Sequence, residues 1–549
     1  MCIFRGHLPY HQYVGVDYRI KGTNVWNPIT PDDLGFGGTQ NKHKGEQNLW
    51  HQTRGLYIVD GVSSSTSSGD GDYSPNTNPG PSGLKGDFIY PSFIDLYSDY
   101  GIEKIKNGAY NYRPQYKSSK PGAYHWNEAI HPEINASELF NNDEKIARDY
   151  LSAGFGSVMT HQRNGIFRGT GTLVLLATKK SENENILITN AAACYSFKKG
   201  VSAQTYPTSL MGGIALFKQT LLDAQWHNQS ELKSTNISLS AYNQSVKLPQ
   251  IFETNDALDY ARIYSIADEF EIQYIVKGNG NEYAHLEELK STNFDLIIPL
   301  NFPAPYDVSN PEEANWISLR KLKEWEAAPF NAAILKKNKI NFALTASDLK
   351  KKKDFIPNLR KAISHGLSKD DALAALTTIP ASLLNIKKIG TLQAGMIANF
   401  FISSDDIFDT GIIYENWVNG DAYTINKKQK VDIRGYYTFN SKNYKNSFLK
   451  IEGEKNKPAI TFIALDSSLL ISKLNDTEIT FSEVNGNFRA IGNYEDSVIK
   501  GRYQLADGSF QSFSMRRDSI FKQKNKKSKA KDSPTPPNIW SPNQAYGFE

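Results

Sequence analysis

Tyr97 and Asp99 stand two residues apart at the end of an apolar run, Pro91-Ser-Phe-Ile-Asp-Leu-Tyr97-Ser-Asp99-Tyr-Gly101. Strand side chains alternate, so positions i and i+2 point the same way and can grip one ion. Two imidazoles at that spacing would suit zinc, which takes nitrogen and sulfur donors at about 2.0 to 2.3 Å. A phenol with an ordinary pKa near ~10 coordinates only after losing its proton, and a lone carboxylate is not a site. These residue types therefore predict a packed Tyr97 and a solvated or hydrogen-bonded Asp99. Elsewhere, His125 and His131 fall in a long loop, and His227, His285 and His365 fall at or within helical segments. His7, His11, His43 and His51 belong to an N-terminal segment. Only His161, after Val158-Met159-Thr160, lies near a strand end, as a possible mouth residue. Cys194, among alanines and aromatic residues, reads as packing.

The elements that must position these side chains follow from periodicity. At 549 residues the chain exceeds what one core supports, so two or three domains are expected. Residues 1–85 are irregular, with a low-complexity loop at 63–83 and a short strand within 55–60. From 86 to 385 short apolar runs alternate with amphipathic helices. Strands are expected at 88–96, 157–159, 172–177, 186–189, 272–276, 296–299 and 340–344. Helices are expected at 209–226, 255–269, 282–291, 315–325, 331–337 and 369–377. That alternation predicts an α/β fold, a (β/α)8 TIM-type barrel of parallel strands with an open doubly wound sheet as the alternative. No Gly-x-Gly-x-x-Gly turn follows any strand, so a dinucleotide site has no support.

Residues 386–430 read as a return to a small flanking β domain, and 431–517 as a separate antiparallel β domain of short alternating strands. Residues 518–549 form a Lys- and Pro-rich linker. The net charge of +4 is concentrated in that linker, which argues against a nucleic-acid partner. No stretch reaches the ~18 apolar residues of a membrane span, and no signal peptide opens the chain as written. The expectation is a soluble protein of undetermined compartment, periplasmic or cell-envelope if the natural start lies upstream. Two cysteines cannot make a disulfide framework.

The opening frame resembles the first barrel strand of the amidohydrolase superfamily, Pro-Gly-hydrophobic-Ile-Asp-x-His-x-His. Ala362-Ile-Ser-His-Gly-Leu-Ser through Thr377, then Gly390-Thr-Leu-Gln-Ala-Gly395-Met-Ile-Ala398-Asn399, is similar to the closing segment of its imidazolonepropionase-like members. The order of these landmarks matches as well, over roughly residues 86–425. The resemblance implies a metal-dependent barrel that hydrolyses C–N bonds. It also implies that Asp348, in Thr345-Ala-Ser-Asp348, matches the aspartate after the last strand. Tyr97 and Asp99 replace the histidine pair, and Lys277 and Asn301 end strands where histidines are expected. Asp99, Asp348 and His161 together could accept Mg²⁺ or Mn²⁺, but little would lower the pKa of a bound water toward ~7.

The segments His161-Gln-Arg-Asn-Gly-Ile-Phe-Arg-Gly and Tyr206-Pro-Thr-Ser-Leu-Met-Gly resemble a Bacteroidetes-type subgroup. There a degenerate half precedes an intact amidohydrolase. The expected function is thus a non-catalytic scaffold or substrate-shaping half with no cofactor, beside a catalytic amidohydrolase domain C-terminal to this chain. The alternatives are an active hydrolase of non-peptide C–N bonds using zinc, with Asp348 catalytic, and a peptide- or sugar-binding module. Oligomeric state is left open.

Overall fold

The computed structural model describes residues 2–6, 12–16, 57–60, 87–106, 113–229 and 234–519 apart from 257, 394, 429–430, 446, 455–456, 463–467, 485 and 487. The loop at 63–83, the linker from 522 and His7, His11, His43 and His51 lie outside the described residues. The chain divides into two compact units with the boundary between Ile425 and Asn426.

The first unit is built on an eight-stranded sheet. Its strands are β1 (Phe93–Ser98), β2 (Phe155–Thr160), β3 (Phe167–Leu175), β4 (Ile186–Ser196), β5 (Gln250–Glu253), β6 (Tyr274–Lys277), β7 (Asp295–Pro299) and β8 (Phe342–Thr345), paired in sequence order. Alternation sorts their side chains. Ile94, Leu96, Met159, Leu173, Cys194, Ile251, Ile275, Ile297 and Ala343 pack with one another in one buried cluster. The intervening Phe93, Phe155, Tyr195, Phe252, Val276, Leu296 and Leu344 pack against helices such as Leu210–Gln229, Asp259–Phe270 and Phe355–Ser364 in another. Apolar positions on both faces are the mark of a sheet covered on both sides.

The edge strands meet through one carboxylate. Asp95 on β1, fully buried, accepts from Thr345 Oγ1 at 2.5 Å and from the Ala346 backbone N–H at 3.0 Å, both at the end of β8. It also accepts from the Tyr97 N–H at 3.0 Å. The barrel expected from the sequence is present, with one correction to the all-parallel expectation. β3 pairs antiparallel with both β2 and β4, while the other seven strands run parallel. Only six residues separate β2 from β3, Thr160 to Phe167, too few for the crossover a parallel pair requires.

The expected strand at 88–96 is two strands. Phe88–Pro91 pairs with Phe400–Ser403 in a separate antiparallel sheet that continues through Ile413–Val418 to Asp421–Thr424. Pro91, which has no N–H to donate, ends the first strand, and Ser92 carries the chain to β1. Ser92 Oγ donates to Asn416 Oδ1 at 2.7 Å, and Asn416 in turn donates to the carbonyls of Leu151 and Phe155, joining this sheet to the barrel wall. Strands Cys2–Gly6, Gln12–Val16 and Tyr57–Asp60 form a three-stranded antiparallel sheet of their own.

The second unit is a closed antiparallel barrel of eight strands in meander order, from Gly435–Ser441 to Phe510–Ser519, the last pairing with the first. The segments beginning at Gly435, Phe448, Ala459, Glu478, Phe488 and Val498 read as strands from their alternation, and Ser468–Asn475 and Phe510–Ser519 add two more. Closure removes both sheet edges, and eight strands leave an interior just wide enough for side chains. Phe439, Phe462, Phe488, Tyr503 and Phe513 fill it, with ring centroids 4.9 to 6.4 Å apart. Among the described residues no helix is long and apolar enough to cross a membrane.

Candidate functional site at the barrel mouth

The C-terminal ends of the parallel strands carry the charged residues. Glu253 is the last residue of β5, Lys277 the last of β6, and Asp348 follows β8. His161 follows β2, and Lys198 follows β4. Because β3 is reversed, its first residues lie at this same end, and Phe167 pairs with Tyr195 near the end of β4. The reversal thereby delivers Arg168 to the mouth.

Tyr97 is the centre of the cluster, 1% exposed. Its hydroxyl accepts from Arg168 Nη1 at 2.9 Å, and the same nitrogen lies 2.7 Å from Glu253 Oε2. The Arg163 guanidinium lies over the Tyr97 ring, 4.6 Å from its centroid, with the Lys277 ammonium 5.5 Å away. His161 meets that ring edge-on at 4.5 Å. Burial pushes the Tyr97 phenol well above its usual pKa, and the Glu253 charge adds to this, so it is a neutral hydroxyl at neutral pH.

Asp348 takes φ +64°, a left-handed backbone conformation seldom adopted by residues other than glycine, asparagine and aspartate. That turn places its carboxylate 2.7 Å from Lys277 Nζ, with Arg163 Nη1 at 3.6 Å and Ser347 Oγ donating at 3.1 Å. Arg163 Nη2 also donates to Ser347 Oγ at 2.8 Å. Lys277, nearly fully buried, gives a second hydrogen bond to the Gly278 carbonyl at 2.6 Å.

The sequence-derived residues do not form one site. Asp99 lies beyond the end of β1, and the β1–β2 pairing shifts register between Asp95 and Ser98, so the i, i+2 alternation breaks there. Its partly exposed carboxylate faces Lys104 at 3.7 Å while Tyr97 is buried. Asn301, two residues past β7 and half-buried, faces the Gly280 turn, its Oδ1 3.0 Å from where a Cβ on Gly280 would stand. Tyr97, His161, Lys277 and Asp348 do converge. Sequence reasoning missed Arg163, Arg168 and Glu253. The legible signal was a charge inside or ending an apolar strand, in Phe167-Arg168-Gly and Gln250-Ile-Phe-Glu253.

The donor set does not fit the metal implied by the resemblance. Glu253, Asp348 and the Tyr97 hydroxyl are each engaged by a cationic side chain of the protein itself. Among the described residues, no three His, Cys, Asp or Glu side chains converge as a metal site. A cysteine nucleophile is equally unsuited, since burial pushes the Cys194 thiol up to about 12.

Charge pairing here sets an acid dependence. Burial alone would raise both carboxylates. For Glu253 the neighbouring Arg168, with Lys198, Lys277 and Arg163, outweighs it, and for Asp348 Lys277 and Arg163 do so. Both folded pKa values therefore lie below the unfolded ones, near ~4. Stability from these pairs is fully present above the unfolded values and is lost as pH falls through the folded ones. Asp348→Asn is expected to shallow the loss of stability below pH ~4. Urea unfolding at stepped pH checks this, and an unchanged acid limb would remove Asp348 from the account.

No family model matches the chain, and no curated protein matches it. Solved structures similar to it include an amidohydrolase from Thermotoga maritima MSB8, at 19% identity and a TM-score of 0.49 over 64% of this chain and 92% of that one. A β-aspartyl dipeptidase from Fervidobacterium islandicum AW-1 has 12% identity and a TM-score of 0.33 over 69% and 92%. The A. niger ochratoxinase has 11% identity and a TM-score of 0.34 over 61% and 83%. At these values the likenesses carry no argument about activity. The barrel is defined by its own strand order.

Proposed function

We propose that this chain is an amidohydrolase-like barrel that has lost its metal ligands and acts as a non-catalytic scaffold or substrate-shaping half beside a catalytic amidohydrolase. The observation that carries this reading is the Lys277 ammonium 2.7 Å from Asp348, the residue that matches the superfamily's aspartate. A buried ammonium supplies to that carboxylate the positive charge that a metal would otherwise bring, and it cannot activate a water. The ordered motifs at 91–101 and 362–399 support the ancestry, and the replacement of the histidine pair by Tyr97 and Asp99 supports the loss of chemistry. The catalytic partner and the Bacteroidetes-type tandem arrangement are part of the same proposal, resting on the segments at 161–169 and 206–212.

Metal analysis tests it. Protein produced with supplemented zinc and manganese is expected to retain far less than a stoichiometric amount of either after dialysis. Stoichiometric retention that disappears in Asp348→Ala would overturn the reading.

A further inference from the structure

The charged mouth is not balanced. Arg163, Arg168, Lys198 and Lys277 share two carboxylates, Glu253 and Asp348, leaving a surplus of two positive charges. Asp99 also acts on Arg163, but Asp99 and Asp95 bring Lys104 and Lys352 with them, so the cations still outnumber the carboxylates. The two short ion pairs belong to the buried cations, Arg168 and Lys277. The two more exposed cations make only long ones, Arg163 at 3.6 Å from Asp348 and Lys198 at 3.7 Å from Glu253.

Unpartnered polar atoms lie in the same place. His161 is fully buried, and neither of its ring nitrogens has a hydrogen-bond partner. Arg163 Nε is likewise buried and unpartnered. A buried polar group left without a partner costs free energy comparable to the hydrogen bond itself, and a water or an ion held beside it is one way a native fold meets that cost. Arg163 keeps 27% of its side chain exposed and Lys198 56%, so these two cations are reachable from solvent while the His161 imidazole lies buried behind the surface.

We propose that the barrel mouth binds a small oxyanion, a carboxylate or a phosphate, through Arg163, Lys198 and the His161 imidazole. An arginine fork matches the oxygen pair of either group. A concave site lined by one sign of charge concentrates ions of the other. The proposal rests on the reading that protein cations have taken over the metal's place, because a metal there would draw the same anion by direct coordination. It adds a ligand class to that reading, for which the scaffold need not be an empty relic.

Titration calorimetry of the full chain, dialysed against chelator, with sodium phosphate and separately with sodium succinate at low ionic strength, tests it. Saturable binding of at least one of them is expected, and which one binds identifies the source. Arg163→Gln is expected to weaken it by about tenfold or more, and Lys198→Gln by several-fold. Circular dichroism reports whether each variant folds. Lys198 is a surface residue, so its substitution tests the site without disturbing the core. Absence of binding by either anion, or binding unchanged in both folded variants, would overturn the proposal. The same samples analysed for metal separate the two readings. Metal-free protein that binds no anion sinks only the anion site. Anion binding that requires restored zinc sinks this proposal and the non-catalytic reading together.

Discussion

Arg168→Ala is expected to destabilise the first unit by about 3 to 5 kcal/mol, the usual cost of breaking a buried ion pair by removing one partner. Arg168 is 2% exposed and its partner Glu253 13%, so solvent does little to screen the pair or to take the arginine's place. The truncation would leave Glu253, among the described residues, with Lys198 at 3.7 Å as its one remaining ion-pair partner, and the Tyr97 hydroxyl without its donor. It would also vacate the volume of one of the largest fully buried side chains among the described residues. Tryptophan fluorescence during urea unfolding follows this unit selectively, because residues 426–532 contain no tryptophan. A loss below about 1 kcal/mol, the scale of an exposed pair, would show that the mouth is solvated and the network loose. The double variant Arg168→Met, Glu253→Leu should recover much of the loss, since apolar replacement of both partners of a buried pair is often neutral or stabilising.

Asp95→Ala is expected to cost about 2 to 4 kcal/mol, because it strands two buried backbone N–H groups, of Tyr97 and Ala346, at roughly 1 to 3 kcal/mol each. It removes the acceptor through which β1 and β8 meet, so the loss should appear in backbone exchange as well as in global stability. Amide protons at the ends of β1 and β8 should lose protection before those of β5 to β7. If protection fell evenly across the sheet, Asp95 would be one buried polar group among others, with no special part in closing the barrel. Asp95→Asn should cost less than the alanine, since its remaining carbonyl can still accept one of the three hydrogen bonds.

These two residues were unequally visible in the sequence. Asp95 belongs to the quoted frame at 91–101, and a carboxylate among Phe93, Ile94 and Leu96 signals a buried acceptor with a partner. Arg168 sits in a run of glycine, threonine and aromatic residues whose pattern gave only a strand at 172–177, five residues short of where β3 starts. The strand Gln250–Glu253 is too short for periodicity to register. Tyr97 is packed and Asp99 partly exposed toward Lys104, as their residue types predict, and the register shift after Asp95 interrupts the alternation that would have set the two side chains on one face.

By itself the sequence determined the local periods: apolar runs alternating with amphipathic helices from 86 to 385, and short alternating strands from 431 to 517. Those periods are properties of a few neighbouring residues, and they suffice for a barrel followed by a β domain. It also determined that the histidine pair of the resembling family is missing at 97 and 99. Only the tertiary structure decided what stands in its place. The reversal of β3 brings Arg168 to Glu253, and the left-handed turn at Asp348 brings it to Lys277. Electrostatic pairing depends on distance in a medium of low dielectric, and residues far apart along the chain acquire that distance only when the barrel closes.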